Sequence, residues 1–291
     1  MSGYGNLIFT SFERKVTLFT LTLFLIYLSV LLPSYFLNHT SSYDFLISLT
    51  NLTFWLPFLF FAGNVLTLSF VIEVLTAMIT LTLITSYNSS YHSGLATKTP
   101  TSLAFSSTLP TTFLSSLLTF FWTSLITTLS LFLFLVLSYY STNSLEWSVI
   151  ELILSHTFMT SAVSESTLIS YSWLFILITV YLKCAIVPFF LWKPTFFKGL
   201  TLPTLFYYIL VFYNVLFLYF MYFLLGLFSD LFTINLLLTL SVLTVSVLIL
   251  PFLFYETFNL KSFLAISSIS NSVLLIFTLT TSHTDAFSAF F

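Results

Sequence analysis

Tyr171–Trp192 reads YSWLFILITVYLKCAIVPFFLW, an apolar run with a single charge, Lys183, and with Pro188 five residues further on. A lysine at the centre of a membrane span costs about 2.5–3.5 kcal/mol on insertion scales. Its apolar neighbours, at about −0.3 to −0.6 kcal/mol each, more than offset that, so the run is expected to insert as a helix. The ammonium is then stranded in hydrocarbon unless it faces protein, water or a partner. Intramembrane ionisable groups mark functional sites by default. Pro188 removes a backbone hydrogen bond and should kink or break the helix, and transporters bind ions at broken helices near mid-membrane.

The rest of the chain has the same character. It has 291 residues, 58% hydrophobic and 5% charged, with a mean hydropathy of +1.08. Soluble domains carry about 25% charged residues, so too little polar surface is present to keep a globule in water. The expected fold is all-α, a polytopic transmembrane helix bundle. Continuous apolar runs argue against a barrel, whose strands alternate in polarity. A net charge of −2 suggests no nucleic-acid partner, and the single Cys184 excludes an internal disulfide and a cysteine-based metal cluster. Phe occurs 38 times and Gly only 6 times, a bias typical of an AT-rich organellar genome. Met1–Lys15 resembles neither an import presequence nor a cleavable signal, as expected of a protein made inside the organelle. With so few glycines, Ser and Thr must serve as the small residues of helix packing.

About eight spans of roughly 20 apolar residues can be placed, at Val16–Leu37, Asp44–Phe61, Val65–Tyr87, Thr112–Tyr140, Tyr171–Trp192, Pro203–Phe228, Leu231–Tyr255 and Lys261–Ser282. They form a single integral membrane domain over 1–291. The Ser/Thr-rich stretch 86–110 reads as an exposed loop. Ser144–Val163 contains Glu146, Glu151 and His156, and 144–168 reads as a surface segment. With that segment outside the membrane, Lys98, Lys193, Lys198 and Lys261 fall on one side. Glu146, Glu151, Glu165, Asp230 and Asp285 fall on the other, the segregation that the positive-inside rule predicts. Arg14 and Lys15 are exceptions on the acidic side.

Glu73 and Lys183 are the two charged residues well inside spans; the others lie near span ends or in connections, where long side chains reach water. Opposite charges on separate helices suggest a proton or ion path. Burial drives a lysine pKa down and a carboxylate pKa up, while proximity favours both charged forms. The plainer alternative is a buried ion pair that only holds helices together. Haem or copper ligation needs helix-borne histidines, whereas His39, His92 and His283 lie at span ends or in a loop and His156 lies on the surface segment.

Lys183-Cys184-Ala185-Ile186-Val187-Pro188-Phe189-Phe190-Leu191-Trp192-Lys193-Pro194, followed by Gly199, gives the pattern K-x-x-x-x-P-F-x-x-W-x-P-x-x-x-x-G. This closely resembles NADH–ubiquinone oxidoreductase chain 2, the antiporter-like membrane subunit of respiratory complex I. Lys261-Ser262-Phe263-Leu264-Ala265-Ile266-Ser267-Ser268-Ile269-Ser270 is similar to the family's [KR]-x-x-L-A-Y-S-S-I segment. Phe70-Val71-Ile72-Glu73-Val74-Leu75 looks like the setting of the family's span glutamate. The resemblance implies a proton-translocating subunit of the mitochondrial inner membrane with a broken Lys-bearing helix. Glu73 would couple toward a neighbouring subunit, Lys183 would be the central relay lysine, and Lys261 would join the relay. The implied partners are chain 4-like and chain 4L-like neighbours, membrane lipids and a second polypeptide completing the C-terminal repeat. No cofactor is implied in this chain: NAD, FMN, iron–sulfur clusters and ubiquinone would be bound by partner subunits. The chain departs from the family at Asn214, where a second lysine is expected, and at Asn271, where a histidine is expected. It also stops at Phe291, before the second repeat. These departures favour the rival expectation, a scaffold subunit that has lost proton relay.

Overall fold

The computed structural model describes residues 2–3, 7–8, 11–35, 42–95, 109–150, 152–153, 163–226, 232–255 and 259–281. The described chain is mostly helical, with one short antiparallel ribbon pairing β1 (Ser2–Gly3) with β2 (Leu7–Ile8). The helices are α1 (Ser11–Tyr35), α2 (Ser42–Trp55), α3 (Phe58–Phe61), α4 (Val65–Leu95), α5 (Leu109–Thr142), α6 (Val163–Cys184) and α7 (Trp192–Gly199). Then come α8 (Leu202–Tyr207), a π-helical segment (Tyr208–Tyr213), α9 (Asn214–Gly226), α10 (Phe232–Tyr255) and α11 (Leu260–Thr281).

Among the described residues, four helical runs are long and apolar enough to cross a membrane: Tyr43–Phe61, Val65–Tyr87, Thr112–Thr142 and Leu202–Phe220. Ser172–Cys184 and Leu240–Tyr255 are shorter apolar helices. The chain is thus a helical membrane protein.

Hydroxyl side chains in these apolar helices bond back to their own backbone. Thr127 donates to Ser124 O, Ser130 to Thr127 O and Ser268 to Ala265 O, each within 2.8 Å. Each hydroxyl is satisfied by its own helix one turn back, so little polar group is left facing apolar surroundings. The run Tyr43–Phe61 bends at Pro57, which starts α3 with φ −62°, the value its ring imposes.

Two stretches differ from the sequence expectation. The loop expected over 86–110 is helical through Leu95, because α4 runs on past Tyr87. No Gly or Pro interrupts it before Gly94, so nothing stops the helix earlier; residues 96–108 lie outside the described residues. The surface segment expected over 144–168 is anchored at its start. Val65 N donates to Leu145 O at 3.0 Å, Asn64 pairs with Glu146, and Trp147 is buried and stacked 5.9 Å from Phe134. Residues 151 and 154–162 lie outside the described residues. The final residues of the stretch, from Val163, already belong to α6. Lys98, Glu151, Asp230 and Asp285, which supported the expected topology, also lie outside the described residues, as do His39, His156 and His283.

The chain forms two compact units. The first comprises Met1–Gly63, Thr67–Trp122 and Thr195–Leu216. In it α1 packs on α8 and the π segment: Tyr27 donates to Pro203 O at 3.0 Å, and its ring meets Tyr207 edge-on at 5.2 Å. Phe120, Phe196, Tyr208 and Phe212 form a run of ring contacts between 5.0 and 5.2 Å. Gly199 lies against α5. A Cβ there would come within 2.9 Å of Thr112 O and closer still to the Ser116 side chain.

The second unit comprises Asn64–Leu66, Thr123–Pro194 and Phe217–Phe291. Here α10 and α11 pack side by side. The α5 and α6 helices are joined by a buried 2.8 Å hydrogen bond between Ser130 and Thr179.

Candidate functional site at the broken helix

The Lys-bearing helix does break, and earlier than the proline requires. The α6 helix ends at Cys184 with Lys183 in its last turn. Ile186 N donates to Tyr181 O at 2.9 Å and Ala185 N to Leu182 O at 3.3 Å, while Ala185 has φ 54°. These six-to-one and five-to-two bonds around a left-handed residue form a Schellman cap. That residue is usually Gly; here an alanine holds the conformation, which costs roughly 1–2 kcal/mol for an L-residue. A turn follows, with Phe189 N donating to Ile186 O at 2.7 Å across the cis Val187–Pro188 bond. Lys193 N then donates to Phe190 O at 3.0 Å as α7 begins.

Non-helical backbone at membrane depth persists only where protein encloses it or water lines it. The break meets that condition in part: Cys184, Ala185, Ile186, Val187 and Phe190 are buried, whereas Pro188, Phe189 and Leu191 are exposed. Val187 and Phe190 pack with Ile269 and Val273 of α11, and Leu243, Ile249, Leu250 and Leu253 of α10 close around them. Two motifs far apart in sequence therefore meet, since Ile269 belongs to the Lys261–Ser270 segment. Trp192 Nε1 donates to Leu182 O at 3.0 Å, so the indole staples the start of α7 to the last turn of α6.

The expected site residues occupy different settings. Lys183, only partly buried, stands at the C-terminal end of α6, where the helix dipole favours a cation. One turn back on the same face, Thr179 meets Ser130. Each hydroxyl also lies within reach of its own helix, Ser130 with Thr127 O and Thr179 with Phe175 O. Either oxygen can therefore donate to the other while its partner turns to its backbone acceptor, giving two interchangeable arrangements.

Lys261 is half-buried at the start of α11, and Asn271 is exposed on that helix. Asn214, expected to replace a family lysine, begins α9 after the π segment, lies on an exposed face, and donates to Leu210 O at 2.9 Å. Its amide is thus committed to its own backbone. Glu73 is exposed on α4 within the stripe Leu66, Phe70, Glu73, Ala77, Leu81 and Ile84, at helical spacings of three and four. Asn214 and Glu73 belong to the first unit, whereas Lys183 and Lys261 belong to the second.

Lys193 is the residue the sequence reading misplaced. It was expected in a connection with its charge in water, yet it is fully buried, 0% exposed. The reason is the short helix: Trp192-Lys193-Pro194 opens α7 rather than an exposed loop. Pro in a first turn is a helix-start signal, and it was the available clue. Burial, partly offset by the nearby Cys184 sulfur, pushes Lys193 down to about 7.

No protein-family model matches this chain, and no match to a curated protein is found.

Proposed function

We propose that the chain is a chain 2-like subunit of the proton-translocating membrane arm of respiratory complex I, in the mitochondrial inner membrane, with about eight spans. The observation that carries this reading is the break between α6 and α7. It leaves Lys183 on a helix end and packs against the helix bearing the second family-like segment. A discontinuous helix with an ionisable group at its broken end is the arrangement transporters use for ions near mid-membrane. In this reading Lys183 takes up and releases a proton, and the Ser130–Thr179 hydroxyl pair one turn away conducts it. Lys261 serves the same path from the head of α11. Glu73, exposed in an apolar stripe of a span, faces a neighbouring membrane subunit of the chain 4 or chain 4L kind. NADH oxidation and quinone reduction, with their flavin and iron–sulfur groups, belong to partner subunits.

The test is Lys183→Met in the assembled enzyme. The expected result is fewer protons moved per electron pair while NADH oxidation continues. Unchanged stoichiometry would leave the second reading, a scaffold subunit without relay chemistry, which the outward-facing and self-bonded Asn214 favours. Isolation of the chain from its native membrane should bring flavin and iron–sulfur subunits with it; their absence would remove the assignment to complex I.

A further inference from the structure

We propose that Lys193 is a second proton-carrying residue of the broken-helix site, the neutral amine that accepts the proton held by Lys183. The inference rests on the relay reading of Lys183 and adds to it the acceptor that Asn214 does not supply.

Three placements carry it. First, the backbone segments that carry the two lysines touch. The Trp192 indole, next to Lys193, is hydrogen-bonded to the carbonyl of Leu182, next to Lys183. Independently, Cys184, the residue after Lys183, lies close enough to act electrostatically on Lys193. Second, the two amines stand in opposite electrical settings. Lys183 is at the C-terminal end of α6, where backbone carbonyls favour an ammonium. Lys193 is in the first turn of α7, the end of a helix dipole that disfavours a cation. Third, Lys193 is wholly enclosed, while Lys183 is only partly so. Burial disfavours the charged form of a lysine, so enclosure favours a neutral Lys193 that can accept a proton.

The step moves one proton and no electrons. An N–H bond on the Lys183 ammonium breaks and one forms on the Lys193 amine, leaving the first neutral and the second charged. The charge created inside the protein is disfavoured there, so Lys193 gives the proton up readily once it has accepted it.

The experiment uses the complete native complex reconstituted into lipid vesicles, with NADH and a short-chain ubiquinone, and counts protons per electron pair. The variants are Lys193→Met, Lys193→Arg and Lys183→Met. Lys193→Met should lower the count as far as Lys183→Met does. Lys193→Arg should also lower it, because a guanidinium stays protonated and cannot release what it binds; a merely structural cation would be rescued by it. A normal count in Lys193→Met, or rescue by arginine, beside a lowered count in Lys183→Met would overturn the inference and leave the relay reading standing. Normal counts in all three would overturn both. If no Lys193 variant assembles, the unmodified complex decides. A count that changes across neutral pH supports the acceptor, and one that stays flat from about pH 6 to about pH 9 overturns it.

Discussion

At the scale of single residues, Ala185 holds a strained backbone conformation. Its φ of 54° closes the cap that ends α6, and glycine adopts that conformation freely. Ala185→Gly should therefore raise stability by about 1 kcal/mol, and Ala185→Val should lower it by more. Thermal unfolding of the detergent-solubilised chain would measure both. Lys193 gives a pH-dependent prediction. Its folded-state value near 7 lies below the ordinary 10.5, so between these the unfolded chain holds a proton that the folded chain lacks. Stability should then fall as the pH is lowered from about 10.5 to about 7 and level off below. Lys193→Met should lose that slope, as melting temperatures across the range would reveal. Neither residue was identifiable from composition or hydropathy. The capping position holds Ala where Gly would have signalled a stop, and Lys193 looked like a solvated loop charge because Trp-Lys-Pro borders an apolar run.

At the scale of elements, most helices were legible because apolar runs of this length have few alternatives in a membrane chain. Their ends were less so. The α4 helix outlasts its apolar stretch, and α6 begins at Val163 and stops at Cys184, about two turns upstream of the run that announced it. Proline marked both interruptions, at Pro57 and Pro188, but the cap before Pro188 depends on backbone bonds that no residue pattern spelled out. The π segment before Asn214 was equally hidden, and with it the outward turn of that amide. The motif glycine has a physical role: Gly199 lets α7 touch α5. Gly199→Ala should cost about 1–3 kcal/mol through overpacking, and Ser116→Gly should restore part of it; the yield of folded protein reports both. The Ser130–Thr179 bond between α5 and α6 should show a coupling of about 0.6 kcal/mol in a double-mutant cycle with alanine.

At the scale of the whole molecule, an apolar exterior is the expected state of a chain that meets lipid, and only its polar exceptions carry information. The outstanding exception is Glu73, set in the stripe from Leu66 to Ile84. A carboxylate there is costly against lipid and useful against a partner helix that offers a cation. Glu73→Leu should therefore raise the melting temperature of the isolated chain and lower the yield of the assembled particle, two opposite readings from one substitution. The α5 helix constrains assembly in another way. Its 34 residues extend about 51 Å at 1.5 Å each, against a hydrocarbon core of about 30 Å. Even the steepest usual tilt, about 40°, would leave it longer than the bilayer needs. One or both ends must stand clear of the lipid, so this helix offers neighbours a rigid post in the aqueous layer.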